Sequence, residues 1–599
     1  MERPNIIRRT TCAFSQELFE ENVARYILES MSPFSTVVLP AFRQIFDSFR
    51  IKHGDKPLKH LNQNTLKKRI DIIYNEQIKI LKNYLKNVKY VCTTADVWTA
   101  PDRRIIGVTA HWLCEKTLKR KSAALACKRI EGTHTAEVIA TELARIHALY
   151  GLNNEKIVAT VTDNGSNFIK AFKIFGLTNN FILEIKSLSA NNFDELEERE
   201  TSDSAGMNDD EYINETDEDN NEINNENDDY DGGGGGDNNY DNVDNILVNS
   251  NETISDEIDI ILPRHLRCAS HTLHLIASSD AMKIIKADSR LKRLHEEAIG
   301  ACEKLWKKLR SPKNRETLKK YLKCALKRPV VTRWNSLYDC LKQIISLEDK
   351  LTDIQQYVNF EIDIREHHFR YIRDYLTCMK PLALGIDKAQ AETTCYYGCL
   401  LPLLLSIKNK WTAILKDNNL IYCKKLVEGM QLKLIDRFDD FFEIRGQGEA
   451  AALAAITHPQ FKDRWLACLS DDKIMKVQQL ISTAFSDSEN NEIPEEPMEL
   501  DDFFDFGENN TQANRRSQIF TCQGDNTLEI LRFLNNPIKT LDVLNQFPQV
   551  KQLFIKYNTC IPSSAPVERL FSYATMMNIA KYNRLSDDSF EKRVLAAAN

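Results

Sequence analysis

The 599-residue sequence has no apolar run close to the roughly 20 residues that a membrane-spanning helix requires. The densest stretch, CLLPLLLSI from Cys399, is short and interrupted by Pro402. The N-terminal segment MERPNIIRRTTCAFSQ also lacks the continuous apolar core of a signal peptide. Its 15 cysteines are odd in number, scattered, and nowhere spaced as Cys-x-x-Cys. That usage suits a reducing compartment better than a disulfide framework. A soluble intracellular protein is therefore expected.

Acids are scarce in a less obvious way. The chain carries 86 Asp/Glu against 79 Lys/Arg, a net charge of −7. Yet 25 of the acids lie between Asn191 and Ile260 beside a single Arg, and ten more lie between Ala484 and Glu508 with no Lys or Arg. What remains is strongly basic. A basic body with separate acidic tracts points towards a polyanionic partner, most economically nucleic acid. A solubilising surplus of lysine on helix faces would give the same count.

At 599 residues, at least two domains plus linkers are the starting expectation. Apolar periodicity predicts a helical region over 1–87. The texture then changes: VKYVCTTADVWT, IIGVTAHWLC and KSAALACKRI read as three strands, TAEVIATELARIHALYG as an amphipathic helix, IVATVT as a fourth strand and SNFIKAFKIFG as a helix. This β-β-β-α-β-α order over 88–186 implies a mixed sheet, a meander followed by a crossover. The Asn/Asp/Glu-rich tract at 187–262, with five consecutive glycines, cannot bury enough apolar surface to order itself. A short strand and helix follow at 263–280, a helical stretch at 281–483, an acidic linker at 484–526 and a helical end at 527–599. The fold class expected is α/β plus all-α.

Three acids stand out. Asp96 lies inside a strand, where acids are depleted and costly to bury. Asp163 ends the fourth strand, at the edge of an open sheet where ligand sites form. In the simplest sheet these two strands are neighbours, and two adjacent carboxylates repel unless a cation neutralises them. Locally, Asp163 is also good turn and helix-start chemistry before Asn164-Gly165. Glu568 follows the helix-start signal SSAP beside an apolar stripe, where the helix dipole alone would favour an acid. Each taken singly reads more easily as structural.

Five blocks in order change that balance: TTADVWTAP from Thr93, VTDNGSNFIKAF from Val161, RCASHTLHLI from Arg267, TRWNSLYD from Thr332 and SSAPVERLFS from Ser563. Together, over roughly 10–599, they resemble the hAT superfamily of cut-and-paste DNA transposases and the cellular proteins derived from them. The resemblance implies an RNase H-like catalytic domain interrupted by a large helical insertion, and a C-terminal dimerisation segment. It implies that Asp96, Asp163 and Glu568 form an acidic triad binding two divalent cations, Mg²⁺ or Mn²⁺. Cys268 and His271 match the family's Cys/His-x-x-His element near the DNA strand. Trp334, preceded by Arg333, matches the aromatic residue on which an extruded base stacks while a hairpin forms on flanking DNA. Such stacking is worth roughly 1–3 kcal/mol.

The implied partners are transposon ends, their flanking DNA and further copies of the chain, with no membrane partner and a nuclear location. Without its block, Trp334 reads as a helix-packing aromatic. A zinc site of His265, Cys268, His271 and His274 is the rival for that segment; on one continuous helix four ligands three residues apart cannot meet one ion unless the backbone breaks.

The sequence departs from the family in two places. The BED-type zinc finger of many members is missing, with only Cys12 before Glu17 and no cysteine pair upstream of His53 and His60. After SSAPVERLFS the family's glycine is replaced by Ala574 and Thr575. The missing finger favours the alternative of a domesticated, non-catalytic DNA-binding and dimerising protein. A host nuclease acting on RNA is a third reading, opposed by the helical insertion and the TRWNS block. Basic stretches such as KTLKRK and KKLRSPKNR serve equally as import signals, solvated faces or phosphate contacts.

Overall fold

A computed structural model describes residues 15–48, 52–53, 56–100, 103–130, 132, 135–176, 260–308, 311–329, 334–358, 360, 363–417, 419–486, 525–578 and 585–599. The acidic tracts therefore lie almost wholly outside the described residues. The N-terminal part contains α1 (Gln16–Glu29), α2 (Pro40–Ser48) and α3 (Gln63–Lys86), with a two-residue strand pair between the last two.

One mixed sheet follows, built from β1 (Val91–Ala100), β2 (Arg103–Leu113), β3 (Arg120–Ile130), β4 (Ile157–Thr162) and β5 (His265–Arg267), in the order β3-β2-β1-β4-β5. The first three strands form an antiparallel meander rich in β-branched and aromatic residues. The crossover helix α4 (Ala136–Leu149) then brings β4 back parallel to β1. Thr135 starts α4, its hydroxyl accepting the Val138 N–H, and Gly151 ends the turn after it at a φ of +65°. Helix α5 (Ser166–Phe175) follows β4, and β5 pairs parallel to β4.

The remaining helices are α6 (Ala269–Leu275), α7 (Ala281–Ala287), α8 (Ser289–Lys308), α9 (Pro312–Leu322), α10 (Trp334–Ser346), α11 (Leu351–Val358), α12 (Glu366–Ala389), α13 (Leu400–Asp417), α14 (Lys424–Arg437), α15 (Asp439–Phe442), α16 (Gln447–Ile456), α17 (Asp471–Ser486), α18 (Asp525–Asn535), α19 (Pro548–Asn558), α20 (Ala565–Met577) and α21 (Asp587–Ala598). Pro402 falls in the first turn of α13, where its missing N–H costs nothing, so the apolar run starting at Cys399 becomes a buried helix. No described helix is long and apolar enough to cross a membrane.

Side-chain alternation divides the sheet. Val91, Ala95, Ile106, Val108 and Trp112 face α4 and α5 with Ile139, Leu143, Phe168 and Phe172. On the opposite face Cys92, Leu113, Ala159 and Val161 open into one continuous apolar core that runs through Leu273 and Ile276 to Leu382, Leu404 and Phe554. The helical stretch packs directly onto the sheet, and the described residues belong to one unit. Leu262, expected to be the end of the acidic insertion, is fully buried and bridges Gly176 beside β5, because its isobutyl group completes the core under α5. The described residues resume at Ile260.

Helix α20 covers the same face over β1 to β3, with Val567, Leu570 and Phe571 buried against Ile105, Ala124 and Cys127. The helix runs on through Ala574 and Thr575, so no turn follows Ser572. Close approach is possible because Gly107 lies beneath it: a Cβ there would sit 2.7 Å from Val567 Cγ2 and from Phe571 Cε1. Gly107→Val should therefore destabilise the fold by about 1–3 kcal/mol through overpacking. Chemical denaturation checks this; an unchanged midpoint would show that α20 is not seated this tightly.

Candidate active site at the carboxyl edge of the sheet

The β1–β4 register runs through Ala95 opposite Thr162, and the next residue on each strand is an acid. Asp96 shares the face of Cys92, and Asp163 that of Ala159 and Val161, so both carboxylates leave the sheet on the side that α20 covers. Gly107 pairs with Asp96 on β2, so the glycine that admits α20 lies directly beside the first acid. Glu568 is exposed in the first turn of α20, two residues after Pro566. Residues more than 400 apart in sequence thus converge.

Their convergence has an electrostatic signature. Burial, chiefly, together with the neighbouring Asp163 and Glu568 carboxylates, pushes the Asp96 carboxyl up to about 7, against the pull of the Val97 N–H. That N–H donates to Asp96 Oδ1 at 2.7 Å. Asp163 Oδ1 accepts the Gly165 N–H at 3.0 Å. Gly165 itself sits at a φ of −58°, so the turn is made by the Asp163 side chain and needs no left-handed glycine. One Asp163 oxygen makes the turn and the other is left for a ligand. Three carboxylates of this kind are a hard, all-oxygen donor set suited to Mg²⁺ or Mn²⁺.

Two joints fix the geometry. In the first, the Cys268 N–H donates to Thr162 O at 2.7 Å and the Ala269 N–H to Pro562 O at 2.8 Å. Cys268 Sγ accepts the N–H groups of Ser564 at 3.3 Å and His271 at 3.4 Å. The end of β4, the start of α6 and the approach to α20 are thereby tied at one residue. Behind them the buried Arg120 guanidinium donates to the carbonyls of Asn558, Thr559 and Cys560, pinning the end of α19. In the second joint, Arg569 pairs with Glu392 and donates to Gln390 O at 2.8 Å. Five residues back, Asp387 accepts from Asn335 Nδ2 at 2.7 Å, which holds the start of α10. The buried His111 ring comes within 3.5 Å of Glu392 from the sheet side.

These contacts revise part of the sequence reading. Cys268 is only 1% exposed and serves as a buried joint. His271 remains partly exposed on α6. Arg333 and the side chain of Trp334 lie outside the described residues; only the backbone of Trp334 is placed, as the first residue of α10. The backbone does break at Cys268, yet His265 Nε2 is engaged with Thr162 Oγ1 at 2.8 Å and its ring stacks on Phe172, turned away from Cys268.

Among the described residues one set of three ligand groups lies within 4.8 Å of one another, Glu297, His367 and His368. It is far from the acids in sequence. There the Arg365 N–H donates to His368 Nδ1, which puts the neutral ring's proton on Nε2 and leaves that nitrogen no lone pair for an ion. Asp96, Asp163 and Glu568 do not form such a set. Sequence reasoning missed the Arg569–Glu392 pair and the role of Cys268. Adjacency to Glu568 was the available signal for Arg569, and nothing local marks Glu392.

Cys268→Ala should cost about 1–3 kcal/mol by leaving two N–H groups unpaired, whereas Cys268→Ser, which keeps an acceptor, should cost less. Equal melting temperatures for the two variants would remove the joint. For Asp96 the sign is set by a folded pKa near 7 against 3.8 in the unfolded chain. Between those values the native state holds a proton that the unfolded chain has lost, so in chelator stability falls as pH rises through the window. Asp96→Asn should flatten that slope and melt higher than the parent at pH 8; an unchanged slope would show that Asp96 is not repelled. In comparisons with known proteins, no protein-family model and no curated protein matches the chain.

Proposed function

We propose that the chain is a metal-dependent DNA strand-cleaving and strand-transferring protein of the hAT transposase type, with Asp96, Asp163 and Glu568 as its metal-binding carboxylates. The observation that carries this reading is that Asp96 and Asp163 lie one step beyond a fixed parallel strand pair, with Glu568 brought near Asp96 from α20. A site so costly to leave uncompensated is suited to divalent cations. The meander followed by two parallel strands supports an RNase H-like identity for the sheet. The helical body on the face bearing the acids supports the arrangement expected of a family insertion.

When bound, two divalent ions supply activation of a water or 3′-hydroxyl and stabilisation of the leaving oxygen in an in-line displacement at phosphorus. Asp96 and Asp163 hold the site from the rigid sheet, and Asp163 keeps one oxygen fixed by Gly165. Glu568 closes it from a separate helix, aimed by Arg569 and the Cys268 joint. His271 on α6, together with Cys268, Arg333 and Trp334, belongs to the same reading as a strand contact. Dimerisation through the C-terminal helices and a nuclear location belong to the same reading.

Purified protein offered Mg²⁺ or Mn²⁺ and duplex DNA bearing candidate inverted repeats should nick it or form hairpins. Glu568→Gln and Asp163→Asn should lower that rate by about 100-fold or more while leaving folding and DNA binding intact. Cleavage unaffected by both substitutions, or absent with either metal on any duplex, contradicts the proposal.

A further inference from the structure

Between Lys304 and Arg328 the sequence carries eleven Lys/Arg and one acid, Glu316. This stretch covers the end of α8, all of α9 and the segment after it. Packing does not explain its composition, since Leu318 is the sole buried residue among the 11 of α9. At 100° per residue, Lys313, Lys319 and Lys320 lie on the half of α9 opposite Leu318, and all three are exposed. A merely solubilising helix face intersperses both signs of charge. Here, among the described residues of the stretch, the ion pairs reduce to Lys327 with Asp339 at 3.3 Å.

The stretch also has a direction. After α9 the chain runs back along α10 towards its start: Ala325 O accepts from Gln343 Nε2 at 3.1 Å, the Lys327 N–H donates to Gln343 Oε1 at 2.7 Å, and Arg328 O accepts from Ser336 Oγ at 3.5 Å. The start of α10 is the point held by Asp387, and the loop beyond Asp387 is held by Arg569 beside Glu568. The segment carrying Lys327 and Arg328 thus lies along α10, whose start is joined through Asp387 to the helix that precedes the Arg569 contact.

We propose that this cationic track, α9 with its following segment, binds the phosphate backbone of duplex DNA and leads it towards the carboxylate site. The choice of duplex DNA rests on the functional reading above; the surface itself rests on charge and geometry alone. Lysines on one helix face act as sequence-independent phosphate contacts, each releasing condensed counterions.

The test uses the full chain in chelator, so that cleavage plays no part, with a labelled 30-base-pair duplex followed by fluorescence anisotropy over a range of KCl concentrations. A triple variant, Lys313→Gln with Lys319→Gln and Lys320→Gln, keeps good helix formers at exposed positions. It should bind at least about tenfold more weakly near 0.1 M salt, with the slope of log affinity against log salt reduced by about 3. The corresponding triple Lys→Arg variant should bind as the parent does, which separates charge from a folding defect. Unchanged affinity and slope in the glutamine variant would overturn the proposal. So would parental failure to bind the duplex, or equal competition by an acidic polypeptide. If the parent chain binds duplex through the track yet cleaves none with Mg²⁺ or Mn²⁺, the catalytic reading fails and the track stands.

Discussion

Everything at the candidate site depends on the hydrogen bonds that meet at Cys268. Its N–H holds the end of β4, its sulfur holds the N–H groups of Ser564 and His271, and Ala269 holds Pro562. That joint ties the end of β4, which leads into Asp163, to the approach to the helix bearing Glu568. A sulfur is a weak acceptor, yet in this buried position the two N–H groups have no water to turn to, so losing it costs more than the bond itself is worth. The site is held in a repulsive arrangement by polar contacts buried behind it.

The same logic accounts for how the fold is partitioned. The sheet supplies two acids one register step beyond a fixed parallel pair, and α20 supplies the third because Gly107 lets it descend onto β2. The helical body contributes support from the side through Glu392, Gln390 and Asp387 on and after α12. Because its core is continuous with that of the sheet, a displacement of α12 is transmitted to Arg569, next to Glu568.

Much of the fold was legible because its signals are local. The three meander strands, α4 with its Thr135 start and Gly151 stop, β4 and α5 all follow from periodicity and punctuation, and the parallel crossover then makes β1 and β4 neighbours. The burial of Leu262 was not legible, because an apolar residue at the margin of an acidic tract acquires meaning only when β5 closes beside it. The role of Cys268 as a joint was not legible for a related reason. A Cys three residues before a His looks like a ligand or contact in sequence, and only the approach of Ser564 from 296 residues away turns it inward. The carboxylate grouping was legible in part: Asp96 and Asp163 from strand adjacency, Glu568 only through its sequence block, since no local rule places a first-turn helix acid opposite a distant sheet edge.

The proposed sharing of one divalent-cation site by Asp96, Asp163 and Glu568 can be measured by Mn²⁺ binding followed by electron paramagnetic resonance. Saturable binding of two spin-coupled ions per chain is expected, lost in Asp163→Asn while the Glu297, His367 and His368 group is left intact. No saturable binding, or binding that survives Asp163→Asn unchanged, would contradict it.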